Sequence, residues 1–408
     1  MRDEWSLVLW ACRSALGYAT HEDLTALAAG VTDWTWLVRS VDAHAVAPIV
    51  YAPLAQTGRV PAEPLAQLRA AVDENALRSI VLARTLREIV AVLEQQQIPV
   101  IPIKGPLLAR AAYGDLASRR FADLDLVVHR RDLDRARAIL AQRGFQPAFA
   151  LPRDAESALL GADYHIALVD AEHGIVVELH WALIRAGLSG LRDESWAWTH
   201  ACDTTALGAP MRTLTTDAAF VYLCVHGSKH LWSQLGWLCD VAALARAERA
   251  VSWPAVRQLA SSIGATRMVA LGCALSSELL GAEACSALGA ADANVRHLVS
   301  DVRARLFDDA PTMSLPAFQL RVRTGLGDRI AYLAGIAAAP HAADVQFAAL
   351  PRRARALYYV LRPARLAVKH GRRVFVRRKP STNGSKDTDK DTRDGDGSHP
   401  TSTVRAPG

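Results

Sequence analysis

The spacing of apolar positions changes from region to region along this chain, and each spacing predicts a kind of element. Up to about residue 97 apolar residues recur every three or four positions in Ala- and Leu-rich segments. Glu22–Leu27, Trp34–Val41, Val46–Leu54 and Pro64–Gln97 therefore read as helices, punctuated by Gly30, Pro48 and the region 58–64. The apolar run Ile98–Ile103 then predicts a short buried strand, and Pro106 suits the first position of a helix reaching Tyr113. From Asp123 to Val128 the period drops to two. Leu124, Leu126 and Val128 take one face, while Asp123 and Asp125 share the other, roughly 7 Å apart at Cα. Asp132–Gln142 returns to helical spacing and stops before Gly144. Ile166–Val169 and Ile175–Leu179 read as strands joined by a hairpin with Gly174 late in its loop. Thr215-Thr216-Asp217 supplies a cap for a helix through Val221–Val225, and the pattern stays mainly helical to about residue 350. This order predicts an α+β protein: a small mixed sheet flanked by helical N-terminal and C-terminal regions. The expected divisions are a helical region 1–97, a sheet core 98–210, a helical domain 211–350, a basic segment 351–379 and a tail 380–408.

Composition narrows the class. The chain has 408 residues, of which 51% are hydrophobic, so it is globular and can bury one large core or two to three modest ones. It holds no window of twenty uninterrupted apolar residues, so no membrane span is expected. Leu7–Ala11 is too short for a secretory leader and follows Asp3 and Glu4 rather than a basic stretch. The six cysteines are scattered without a CxxC pair, which suits a reducing cytoplasm and argues against a disulfide framework or a zinc ribbon. The net charge of +6 is uneven: Arg352–Lys379 carries eleven Lys or Arg and no acid, leaving the remainder mildly acidic. The basic footprint of a dedicated nucleic-acid binder is absent, so nucleic acid is not an expected partner. After Pro380 there is no Leu, Ile, Phe, Trp or Tyr, so that tail is expected to be disordered.

The two carboxylates on the Asp123–Val128 strand are costly side by side unless a cation compensates them. A divalent metal held by carboxylate oxygens is one solution, and neutralisation by Arg119, Arg120 or Lys104 is the other. Gly105, ending one strand and opening a helix, leaves backbone N–H groups that attract phosphate. Lys104 beside it reads either as a point charge for phosphate or as a counterion for the acids. Alternation puts Glu178 and His180 on one face of the second hairpin strand, making Glu178 a third candidate carboxylate or part of an exposed face. Asp163 and Asp170 lie at strand ends and are weaker candidates. His226 and His230 are four apart on one helix face, but Glu does not follow the first His and no third ligand is evident, so packing competes with binding. Tyr113, Trp181, Trp232 and Trp237 read as core.

Taken in order, these residues carry a resemblance. Lys104-Gly105-x-x-Leu108, Tyr113 and Arg119-x-x-x-Asp123-Leu124-Asp125-Leu126-Val127-Val128 resemble a bacterial nucleotidyltransferase family of the DNA polymerase β superfamily. Val177-Glu178-Leu179-His180-Trp181, His226-Gly227-Ser228-Lys229-His230-Leu231-Trp232 and Trp237-Leu238-Cys239-Asp240-Val241 agree with it. The resemblance implies that 98–210 is a nucleotidyltransferase core, dependent on Mg²⁺ with Mn²⁺ as a substitute. It implies transfer of a nucleoside monophosphate from an NTP to an acceptor, which a sugar, a small antibiotic-like molecule, a peptide or a tRNA end would each satisfy. By resemblance Asp123 and Asp125 hold the metal, and Glu178 ligates it or takes the proton of the attacking hydroxyl. Lys104, Gly105 and Arg119 would then position phosphates, and His226, Lys229 and His230 would lie over the nucleotide. One departure stands out: the wider superfamily usually has Gly-Ser where this chain has Lys104-Gly105-Pro106. The competing reading is a non-catalytic nucleotide-binding or scaffold protein that retains the fold. For Arg352–Lys379, contact with anionic membrane from the cytoplasmic side competes with nucleic-acid phosphates and with Tyr358, Leu361 and Leu366 packing back on the chain.

Overall fold

A computed structural model describes residues 2–20, 22–148, 163–184, 194–246, 251–283, 292–308 and 311–338. The basic segment 352–379 and the tail 380–408 lie outside the described residues. Helices come first: α1 (Asp3–Ala15), α2 (Glu22–Gly30), α3 (Trp34–Ala43), α4 (Ala47–Gln56) and the long α5 (Ala62–Gln95). α1 was not among the predicted elements; its Leu7, Val8, Leu9 and Ala11 are all buried in the core. Asp33 caps α3, its carboxylate accepting from the Trp36 amide at 2.9 Å. α5 buries Leu82, Leu86, Ile89 and Leu93 at helical spacing and turns into the sheet through Gln97, whose φ is +55°.

The sheet strands are β1 (Val100–Pro102), β2 (Asp123–Val128), β3 (Phe145–Pro147), β4 (His165–Asp170) and β5 (Ile175–His180). Between them lie α6 (Gly105–Tyr113) and α7 (Leu133–Ala141). The order is β1-β2-β5-β4-β3, with β2 and β5 parallel and every other neighbouring pair antiparallel. This is the mixed sheet flanked by helices that the pattern predicts. One face is apolar except for Asp170 at the end of β4: Leu124, Leu126, Val128, Leu168, Val177 and Leu179 share a core with the rear half of α5 and with α7. On the other face Ile101, Ile103 and Val127 join a second core built from the N-terminal helices and those that follow the sheet. The charged residues Asp123, Asp125, Glu178 and His180 interrupt that second face. Register brings them together, because Asp125 stands opposite Glu178 and Val127 opposite His180.

After the sheet come α8 (Ser195–Thr199) and a ribbon, β6 (Ala201–Thr204) with β7 (Met211–Leu214), neither of which was predicted. Next are α9 (Thr216–Lys229), α10 (Leu235–Arg246), α11 (Trp253–Ser262), α12 (Thr266–Leu280), α13 (Ala293–Phe307), α14 (Leu315–Val322) and α15 (Leu326–Ala338). Thr215 caps α9 as expected, accepting from the Ala218 amide at 3.4 Å. α9 ends in a tight turn in which Leu231 and Trp232 both have positive φ, +60° and +52°. Non-glycine residues adopt that conformation at a cost, which the complete burial of Trp232 offsets. Gly227 makes the turn feasible: a Cβ there would come within 2.4 Å of the Trp232 ring. Among the described residues, no helix is long and apolar enough to cross a membrane.

Candidate metal and nucleotide site

Asp125 sits in the middle of β2, its side chain only 1% exposed. Three groups converge on it. Lys104, the residue before α6, brings its Nζ to 3.1 Å from Oδ2. His180 Nε2 lies 3.1 Å from Asp125 Oδ1 and 3.2 Å from Glu178 Oε2, so one imidazole nitrogen bridges two carboxylates. Among the described residues, Asp125, Glu178 and His180 form a group whose ligand atoms all lie within 4.8 Å of one another. Asp123 is on the same strand face, one alternation away, and outside that group.

The charges compensate one another. Burial alone would raise the Asp125 carboxyl, but the Lys104 ammonium and His180 outweigh it and hold Asp125 well below the usual carboxylate range. Burial likewise works against the Lys104 ammonium, and Asp125 more than restores it. The His180 imidazole, disfavoured as a cation by burial, is raised by Asp125 and Glu178. Glu178 is lowered because His180 overcomes its burial. Asp123 differs: burial and the neighbouring Asp125 raise its carboxyl despite Lys104. It is the acid of the set without a matched cation.

Around this centre the rings are ordered. His165 stacks on His180 with centroids 5.1 Å apart and planes 18° apart, and Tyr164 lies 5.8 Å from His180. The Lys229 amino group donates to the Tyr164 hydroxyl and sits 4.9 Å from the centre of its ring. Burial and the nearby Lys104 push Lys229 down to about 8. His226 and His230 are close, 4.7 Å between rings, and both pack on Trp237 at 5.4 Å. Burial drives His226 well below the usual histidine range. The two histidines are not part of the carboxylate group.

Lys104 and Gly105 form the junction from β1 to α6. Gly105 has φ +56°, and a Cβ there would meet nothing closer than 3.6 Å, so the backbone conformation rather than space calls for glycine. Gly105 to Ala109 are all buried. Arg119 is turned elsewhere: its Nε donates to both oxygens of Asp240, at 2.9 and 3.0 Å, and the Tyr113 hydroxyl donates to the same carboxylate at 2.9 Å. Asn75 of α5 holds the loop in front of β2 by donating to the Ala117 carbonyl at 2.8 Å. Arg119 thus ties that loop to α10. A separate cavity of about 1260 Å³ opens between α1, α4, α6 and the β6–β7 ribbon. None of the carboxylates discussed above lines it, so the acidic centre and this cavity are distinct.

A sequence model described as "Uncharacterised nucleotidyltransferase" matches residues 30–281, more than half of the chain. The chain belongs to this uncharacterised nucleotidyltransferase family. Neither the curated proteins nor the solved structures contain a match. The matched region contains the whole sheet and the Arg119–Asp240 tie. A buried carboxylate, a half-buried one and a buried imidazole whose ligand atoms lie within 4.8 Å of one another, with a third acid beside them, suit a divalent cation.

Sequence reasoning missed His180, Tyr164 and Asp240 as members of the site. His180 had a usable signal, since alternation already put it on the face of Glu178. Tyr164 had none, its partner being 65 positions away; Asp240 stands in the Trp237–Val241 segment that carries the resemblance, but nothing local points to its partner 121 positions away.

Proposed function

We propose that this nucleotidyltransferase is a metal-dependent enzyme of the DNA polymerase β superfamily, found in bacteria, that transfers a nucleoside monophosphate from an NTP to an acceptor and releases pyrophosphate. The observation that carries the reading is the parallel pairing of β2 with β5, which sets buried Asp125 opposite Glu178 with Asp123 beside them. Asp125 and Glu178 would hold the ion, Mg²⁺ or Mn²⁺, with Asp123 completing the site. A bound divalent ion supplies charge neutralisation on the triphosphate and lowers the proton affinity of the attacking hydroxyl. A carboxylate of the set would take that proton. Lys229, Tyr164 and His230 flank the acids and offer donors to phosphate, with Lys104 and Gly105 at the α6 junction. Arg119 supports the β2 loop through Asp240 rather than reaching the nucleotide directly.

The test is pyrophosphate release from each NTP with Mg²⁺ or Mn²⁺, for the native chain and for Asp123→Asn. That variant is preferable to Asp125→Asn, which would strand the buried Lys104. The expected result is a loss of about a hundredfold or more, with an unchanged melting curve. Equal turnover in the variant would end the proposal.

One observation favours a second reading, nucleotide binding without turnover. Lys104 and His180 already compensate Asp125 and Glu178, so the cluster is stable without an ion and its retention does not by itself argue for catalysis. Calorimetric NTP binding with no pyrophosphate from any acceptor mixture would support it.

Peripheral contact with anionic membrane belongs to the same proposal. Leu326, Ile330 and Leu333 form a stripe on α15 that is 72%, 58% and 47% exposed, and the eleven cations of Arg352–Lys379 follow in the chain. An exposed apolar helix face leading into a run of cations is the combination that anionic lipid favours.

A further inference from the structure

We infer that His180 is itself a metal ligand, so that the site prefers a nitrogen-accepting first-row transition ion, with Mn²⁺ as its probe, over Mg²⁺. This rests on the metal-dependent reading above and adds the identity of a ligand and the class of ion. The geometry is the first support. Donors held about 2.1 Å from an octahedral ion lie about 3 Å apart along each edge of the polyhedron. His180 Nε2 is 3.1 Å from Asp125 Oδ1 and 3.2 Å from Glu178 Oε2, which matches two such edges, and the ligand atoms of all three residues lie within 4.8 Å of one another.

Rigidity is the second support. His180 is 2% exposed, and its ring is held by the stack on His165 and by Tyr164. Nε2 therefore faces the acids because of packing, not because of a chosen rotamer. β5 fixes the direction as well, since Val127 stands opposite His180 two pairs beyond Asp125 and Glu178, on the same face. An ion bound at Nε2 takes the place of the proton shared there with Asp125 and Glu178, and the remaining ring proton stays on Nδ1, which is buried and has no hydrogen-bond partner among the described residues. Chemistry is the third. Mg²⁺ takes oxygen and water and gains little from imidazole, whereas first-row transition ions bind a mixed oxygen and nitrogen set more tightly.

The experiment uses the full, tag-free chain without nucleotide, titrated with Mn²⁺ and Mg²⁺ by calorimetry and examined by pulsed electron paramagnetic resonance on the Mn²⁺ form. The expected result is Mn²⁺ binding at least about tenfold tighter than Mg²⁺, with a nitrogen modulation from a directly bound imidazole. His180→Asn should abolish that modulation and bring the two affinities within about threefold of each other. Where the variant does not fold, the spectrum of the native chain decides by itself. Mn²⁺ that binds and is lost in Glu178→Gln, yet shows no nitrogen signal, overturns the role of His180 and leaves the metal-dependent function standing. A signal that persists in folded His180→Asn assigns it to another histidine and also overturns the proposal. Absence of divalent binding to the native chain overturns the role of His180, and the function reading is then decided separately by pyrophosphate release.

Discussion

At the scale of single residues, the centre is a balance of buried charges, and removing one side should be costly. Lys104 and Asp125 are 11% and 1% exposed at their side chains. Lys104→Met leaves Asp125 short of its main counter-charge, so urea unfolding should report a loss of about 3–5 kcal/mol. Adding Asp125→Asn should recover a good part of it, because the pair rather than either charge is what the interior tolerates. A double variant no better than the single one would contradict this. His44 gives the opposite kind of test. Its Nδ1 accepts from the Leu235 amide at 3.2 Å, and burial pushes it down to about 4. Between pH 6.5 and 4 the unfolded chain takes up a proton that the folded chain refuses, so this contribution is complete above 6.5 and lost as pH falls towards 4. His165, also lowered to about 4 by burial and by His180, acts in the same direction. Unfolding curves at pH 7.5, 5.5 and 4.5 should show falling stability, with a shallower fall in His44→Gln.

At the scale of elements, the turn after α9 shows how local propensity yields to packing. Glycine near the end of a helix reads as a weakness, yet Gly227 is required because the Trp232 ring occupies the place of its side chain. Gly227→Ala gains helix propensity but must displace the ring, so the melting temperature should fall, by the equivalent of about 1–3 kcal/mol. A rise in melting temperature would mean that Trp232 moves freely. The hairpin of β4 and β5 was legible because period two and a late Gly174 are local signals. The β6–β7 ribbon was not, since Ala201–Thr204 and Met211–Leu214 are short and without strong alternation. Its Thr213 hydroxyl donates to the Pro102 carbonyl at 2.9 Å, a contact that no local pattern announces.

At the scale of the whole molecule, we propose the divisions at residues 97, 210, 350 and 379, and limited proteolysis tests them. The composition after Pro380 leads us to expect the first cuts there, followed by a resistant body. Lipid contact is tested with vesicles containing phosphatidylserine: sedimentation should be strong at low salt, fall steeply with added salt, and vanish on truncation after Pro351 while NTP binding persists. If vesicles bring down nothing and the truncation lowers the melting temperature, the basic segment packs on the chain and the membrane proposal is lost.

The sequence by itself determined which residues share a face. Alternation on β2 and β5 separates Asp123, Asp125, Glu178 and His180 from the leucines and valines that must be buried, and it needs no knowledge of distant parts. It also determined the class of fold, because the order of helical and strand periods admits few arrangements. Only the tertiary structure decided which acid meets which partner. Sliding β5 by two residues would preserve every buried leucine while setting Asp123, not Asp125, opposite Glu178. That choice is made by long-range packing between the helices on both faces of the sheet. The same holds for Arg119, whose charge was legible but whose partner, Asp240, is brought to it only when α10 docks beside α6.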